Sequence, residues 1–200
     1  MTADRPRFVM ASANPDKVAE IAAVLAEAGI VLAPRPPDVA EVEETGETLE
    51  ENARLKAVAL AEATGLPAVA DDTGLEVSAL GGAPGVRSAR FAGEEATYAD
   101  NVAKLASAMQ GCEDRSARFR TVAMVRWPDG REVSVEGVVD GLIAESPKGE
   151  GGFGYDPLFI PDGCGGRTFA EMQAGEKNSV SHRGRAFRAL AQALVDGEPV

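Results

Sequence analysis

The stretch from Arg118 to Val139 limits the fold more than any other. Arg118 to Arg126 alternates polar and apolar residues, Trp127-Pro128-Asp129-Gly130 turns the chain, and Arg131 to Val139 alternates again. Period-two patterning on both sides of a Pro/Gly turn is a β-hairpin, whose strands pair antiparallel. Elsewhere the chain reads differently. Arg7–Ala11 and Ala68–Ala70 are short apolar runs of the buried-strand kind, and each adjoins a segment with helical spacing. One antiparallel hairpin within an alternation of strands and helices predicts an α/β protein with a mixed, twisted sheet flanked by helices.

The helix borders are marked. Asn14 is an N-cap with Pro15 at the first helical position; Val18, Ile21, Leu25 and Ala28 repeat at helical spacing before Gly29. Thr48-x-x-Glu51 is a capping box for a helix to about Thr64, stopped by Gly65. Thr97-x-x-Asp100 opens another, with Val102, Leu105, Ala106 and Met109 as its buried stripe. Thr168-x-x-Glu171 caps a short helix, and a last helix starts near Ser181 with Phe187, Leu190, Ala191 and Leu194 on one face. Val31–Val39 reads as a strand end or loop, and Pro157–Pro161 as a short strand. No internal repeat or linker divides the 200 residues, so a single domain is expected.

Charge narrows the function. Lysine plus arginine is 20 against 32 aspartate plus glutamate, a net charge of −12. That balance argues against a nucleic-acid coat and against a polybasic membrane-surface protein. It leaves room for a small anionic ligand, because a local basic cluster or a metal ion overrules the global sign. No apolar run approaches the roughly 20 residues of a membrane span, and Met1–Pro6 has no apolar signal region. Cys112 and Cys164 are isolated and suit a reducing cytoplasm. His182 is the single histidine, so a metal here is held by carboxylates, which points to Mg²⁺, with Mn²⁺ as a substitute, rather than zinc.

Four places offer chemistry. Ser12-Ala13-Asn14-Pro15-Asp16-Lys17 joins a strand to a helix N-terminus; it is either a phosphate cradle or an ordinary capped helix. Asp71-Asp72-Thr73-Gly74 ends a strand, either as a solvated turn or as a ligand site. Successive strand residues face opposite ways, so the two aspartates serve different purposes. The acidic stretch at Glu43-Glu44 is a solvated face unless it folds beside Asp72, where it completes a Mg²⁺ site. Phe153-Gly154-Tyr155-Asp156 presents aromatic faces for stacking a base. Lys177 with His182-Arg183 places cations at a helix start, where they disfavour stability and so lean toward function.

These segments together resemble a known family. Ser12-x-Asn14-x-x-Lys17, Glu43-Glu44-Thr45-Gly46, Glu51-Asn52-Ala53-x-x-Lys56-Ala57, Ala70-Asp71-Asp72-Thr73-Gly74-Leu75, Gly81-Gly82-Ala83-Pro84-Gly85-Val86-x-Ser88-Ala89-Arg90, Phe153-Gly154-Tyr155-Asp156-Pro157 and Lys177-x-x-x-Ser181-His182-Arg183 occur in this order from about Phe8 to Leu194. The set is similar to the non-canonical purine NTP pyrophosphatase family, which contains the XTP/dITP diphosphatases and inosine triphosphate pyrophosphatases. The resemblance implies two lobes with an active-site cleft between them, a homodimer with the Leu80–Val86 loop as a candidate interface, and Mg²⁺-dependent hydrolysis of a purine triphosphate to monophosphate and pyrophosphate.

Roles carry over from the resemblance as expectations. Ser12 to Lys17 binds the triphosphate, Asp72 holds Mg²⁺ and accepts a proton, and Glu43 helps to hold the metal. Asn52, Lys56 and Thr73 contact substrate; Phe153 to Asp156, Lys177, His182 and Arg183 surround base and sugar. Ser12-Ala13 departs from the more frequent Thr-Gly but keeps the hydroxyl, and Asp16 is expected to point to solvent or cap its helix. Two alternatives compete. A Maf-type nucleotide pyrophosphatase lacks the His182-Arg183 and Phe153–Asp156 motifs, and a non-catalytic nucleotide binder has no need of Asp72, Glu43 and Lys17 together.

Overall fold

The structure is a computed structural model that describes residues 7–197. In chain order these form β1 (Phe8–Met10), α1 (Pro15–Glu27), β2 (Leu32–Ala33), α2 (Leu49–Thr64), β3 (Ala68–Val77), β4 (Pro84–Gly85), α3 (Tyr98–Ala108), β5 (Ser116–Arg126), β6 (Glu132–Ile143), β7 (Phe159–Pro161), α4 (Ala174–Val180) and α5 (His182–Asp196). The strands make one sheet in the order β2-β1-β3-β5-β6-β7, with β4 paired to β3. β1 is parallel to β2 and β3; β4 is antiparallel to β3, and β7 to β6. Between β5 and β6 the Trp127 N–H donates to Arg131 O at 2.9 Å, and so short a connection makes the pair antiparallel. The mixed sheet follows from the hairpin as expected. Met1–Pro6, read above as lacking an export signal, lie outside the described residues. No described helix is long and apolar enough to cross a membrane.

The capped helices form where their signals stand. Asn14 Oδ1 accepts from Asp16 N at 3.0 Å and Lys17 N at 3.3 Å. Thr48 and Thr97 close capping boxes with Glu51 and Asp100. Three elements differ from the sequence reading. β3 does not end at Asp71 but runs through Asp71-Asp72-Thr73-Gly74 to Val77; pairing with neighbours on both edges outweighs the local turn preference of Asp and Gly. Thr168 caps a single 3₁₀ turn, Phe169–Glu171, because Met172 returns to extended backbone. Lys177 lies on a separate short helix, α4, and not at the start of α5.

The chain divides into two compact units. Of the described residues, the first takes 7–72, Thr121–Gly137 and 183–197. Its core joins α1 and α5 to the sheet through Phe8, Ile21, Leu25, Val69, Phe187 and Leu190. The second takes Thr73–Arg120 and Val138–His182, with a core built on Leu75, Leu105, Phe119, Leu158, Phe159 and Phe169. Burying such side chains contributes roughly 1.5–3 kcal/mol each.

Candidate active site

In the first unit, β1 and β3 run side by side in the register Val9↔Ala68 and Met10↔Val69. The turn after β1 therefore lies next to Asp71-Asp72. There Asn14 N donates to Ser12 Oγ at 3.2 Å, and the capped helix start presents Lys17. Ala13, Pro15 and Asp16 are exposed, while Ser12, Asn14 and Lys17 are half-buried. Asp16 is on the solvent side, as expected.

The two aspartates separate as their alternation requires. Asp71 is buried; its Oδ2 lies 3.3 Å from Lys17 Nζ and 3.7 Å from Arg183 Nε. Arg183 Nη1 in turn donates to Glu20 Oε2 at 2.5 Å. Burial by itself would raise the Asp71 carboxyl, but the charges of Lys17, Arg183 and Lys56 hold it down at about 2. Asp71 is thus a fixed anion that seats Lys17 and Arg183. The structure places Arg183 in this buried ion network.

Asp72 faces the other way. Its Oδ1 lies 3.0 Å from Lys56 Nζ, and Asn52 Nδ2 donates to its Oδ2 at 3.3 Å. Lys56 Nζ also donates to Glu44 Oε1 at 2.7 Å. Asn52 Oδ1 accepts from Gly46 N at 2.8 Å, which draws the acidic segment onto α2. Burial, with the negative charge of Glu44, raises the Asp72 carboxyl above its usual range against the pull of Lys56 and Lys17. Burial would lower the Lys56 ammonium, but Asp72, Asp71 and Glu44 together raise it. A carboxylate that takes up a proton more readily than usual is suited to general-base work.

Among the described residues no group of three or more His, Cys, Asp or Glu side chains stands ready to hold a metal ion. Asp72 and Glu44 nevertheless converge on one positive charge, the Lys56 ammonium. Two hard carboxylates so placed fit Mg²⁺, which takes one or two protein carboxylates and completes its shell with water or ligand oxygens. Glu44 is the acid next to this cluster; Glu43 is exposed. Nothing in the pair Glu43-Glu44 distinguishes them without the fold, because they are neighbours of identical chemistry.

In the second unit, Thr73 continues β3 and is half-buried. Lys177 Nζ and Asp156 Oδ2 form an ion pair at 2.5 Å, each residue 3% exposed. Asp156 Oδ2 also accepts from Phe153 N at 2.9 Å, and the ammonium lies 4.6 Å from the Phe153 ring centroid. Gly152 is required here: φ is +69°, and a Cβ would stand 2.0 Å from Asp156 Oδ2. Gly154 takes a positive φ in the same turn. Tyr155 belongs to the core, its hydroxyl donating to Ser88 O at 2.8 Å, and burial pushes its phenol up. Phe153 therefore supplies the aromatic face that the sequence assigned to the whole segment. His182 is 3% exposed and stacks on Phe119 with centroids 4.4 Å apart.

Sequence reasoning missed Glu20 and the seating role of Asp71, and it named the Glu43-Glu44 pair without choosing Glu44 as the partner of Lys56. Glu20 had a signal, since it lies three residues after Lys17 and shares its helix face.

Known proteins match the chain over nearly its whole length. A model of the Ham1 family matches residues 8–193. A Streptomyces coelicolor protein named dITP/XTP pyrophosphatase is 50% identical over 194 residues, covering 94% of this chain and 96% of its own. A Thermus thermophilus protein of the same name is 50% identical over 202 residues, covering 96% and 94%. The solved HAM1 protein from Coxiella burnetii superposes with a TM-score of 0.87 at 41% identity, over 96% of this chain and 99% of that one. With matches of this extent to sequence and fold alike, the chain belongs to the Ham1 family.

Proposed function

We propose that this protein is a nucleoside-triphosphate pyrophosphatase that converts non-standard purine nucleotides, ITP/dITP and XTP/dXTP, to the monophosphate and pyrophosphate. The observation that carries the reading is the Asp72–Lys56–Glu44 cluster on one side of β3 with Lys17 seated by Asp71 on the other. Relatives named dITP/XTP pyrophosphatase at 50% identity support the substrate class.

In this reading Asp72 with Glu44, and Glu43 beside it, holds Mg²⁺ or Mn²⁺. The chemistry a bound Mg²⁺ contributes is neutralisation of phosphate charge and a lowered water pKa. Asp72 orients the attacking water at the α-phosphorus and takes its proton. Ser12, the Asn14 turn and the α1 N-terminus bind phosphate oxygens, and Lys17 and Lys56 offset the charge that builds on the departing pyrophosphate. Asn52 orients Asp72, and Thr73 contacts substrate. Phe153 stacks the base, and Lys177 with Asp156 reads its edge. A 6-oxopurine presents an acceptor at O6 and a donor at N1, which complement an ammonium and a carboxylate; adenine presents the reverse. Buried polar groups left mismatched discriminate strongly. His182 holds the Lys177 end of the site through its stack on Phe119, and Arg183 acts through Glu20 and Asp71. The 200 residues act as one pyrophosphatase domain, assembled as a cytoplasmic homodimer.

The test is release of pyrophosphate from ITP, XTP, GTP and ATP with Mg²⁺ and with chelator, next to sedimentation for the dimer. Preference for ITP and XTP and loss with chelator are expected. Equal rates on all four nucleotides, or release of single phosphate, would overturn the reading; binding without turnover would favour a non-catalytic binder.

A further inference from the structure

Asp156 takes its position from a turn that no role above includes. Gly151 N donates to Ala170 O at 3.0 Å, and Ala170 N donates to Asp156 O at 3.2 Å. The Thr168 hydroxyl donates to Lys148 O at 2.9 Å. Both ends of the segment 148–156 are thereby tied to the 3₁₀ turn at Phe169–Glu171. The fit is close: a Cβ on Gly149 would stand 2.4 Å from the Ala170 carbonyl carbon, and one on Gly151 3.0 Å from Ala170 O. The segment lies flat on the turn, so the turn sets where Asp156 stands. Thr168 is completely buried, and its N–H donates to Glu171 Oε2 at 2.8 Å. Replacing a buried hydroxyl by a methyl group removes the bond yet keeps the shape, and the carbonyl it served is freed to move.

We propose that Thr168 is a positioning residue for purine recognition: through the 168–172 turn it fixes Asp156, and with it the Asp156–Lys177 pair, at the place where the base edge is read. This inference rests on the base-reading role given to that pair above. Thr168 touches no substrate and holds the loop that does. A loosened loop lets Asp156 and Lys177 adjust to either purine edge, so the penalty against the wrong base falls while the phosphate chemistry continues.

The experiment compares kcat and KM on ITP and ATP for the wild-type protein, Thr168→Val, Thr168→Ser and Glu171→Gln, each checked for native circular dichroism. Thr168→Val is expected to lower the ITP-over-ATP ratio of kcat/KM about tenfold, chiefly through a lower KM for ATP, with Thr168→Ser restoring it. Glu171→Gln, on an exposed side chain, is expected to lower the ratio less. A folded Thr168→Val with a ratio within about twofold of wild type overturns the proposal. Equal loss on both nucleotides overturns it too, as the mark of a purely structural role. If Thr168→Val does not fold, an unchanged ratio in Glu171→Gln overturns it. Wild-type protein that treats ITP and ATP alike overturns instead the base-reading role of Asp156 and Lys177.

Discussion

Lys56 Nζ lies 3.0 Å from Asp72 Oδ1, and the same ammonium holds Glu44 at 2.7 Å. Two carboxylates that would repel each other are kept together by one cation. Lys56→Met is therefore expected to destabilise the protein by roughly 3 kcal/mol, the scale for removing one partner of a largely buried pair. Added Mg²⁺ should then raise the melting temperature of the variant more than that of the wild type. Thermal melts with Mg²⁺ and with chelator measure both effects; a variant that melts like wild type under chelator contradicts them.

Asp72→Asn keeps the shape and removes the charge. Turnover on ITP should fall by about 100- to 1,000-fold with an unchanged circular-dichroism spectrum, because the positioned proton acceptor is gone. Near wild-type turnover would remove Asp72 from the mechanism.

Gly152→Ala puts a methyl group where Asp156 Oδ2 now lies, at a backbone angle that alanine resists. About 1–2 kcal/mol is expected from the left-handed conformation, together with a raised KM for ITP as Asp156 is displaced. Urea denaturation and steady-state kinetics read the two consequences separately.

The capped helices were legible because a cap is local: Asn14, Thr48 and Thr97 each act within three residues of themselves. The hairpin was legible for the same reason. The course of β3 was not, since Asp71-Asp72-Thr73-Gly74 has the composition of a turn and becomes strand only by pairing with distant segments. Asp72 and Lys17 stood out by residue type, but the choice of Glu44 over Glu43 at Lys56 depends on Gly46 bonding to Asn52, a contact that no spacing announces. The start of the last helix near Ser181 was legible, but Lys177 was grouped with it; in the structure Lys177 belongs to α4, and the extended backbone of Ser181 separates α4 from α5.

Glu76 gives a pH dependence away from the active site. It accepts from Arg118 Nε at 2.6 Å and Arg120 Nη1 at 3.1 Å, and it lines a cavity of about 520 Å³ with Asp140 and Asp162. Partial burial would raise its carboxyl, but the two arginines bring it below the ordinary 4.5. A depressed carboxyl contributes stability above the unfolded value and loses it as pH falls through the folded one. Wild type should exceed Glu76→Gln in urea midpoint at neutral pH, by a small margin since the pair is open to solvent, and the margin should close in acid. A margin that is constant with pH would assign the difference to packing.

A chain with a single imidazole, stacked on Phe119 with Phe169 centred 6.3 Å away, carries its own spectroscopic label. The ring currents of the two phenyl groups shift the His182 proton resonances away from those of an imidazole in water, and no second histidine overlaps them. Because only Ser181 separates His182 from the helix that bears Lys177, those few signals report on the part of the protein to which base reading is assigned in the proposal above, and a nucleotide titration can be followed there without isotope labelling or any substitution.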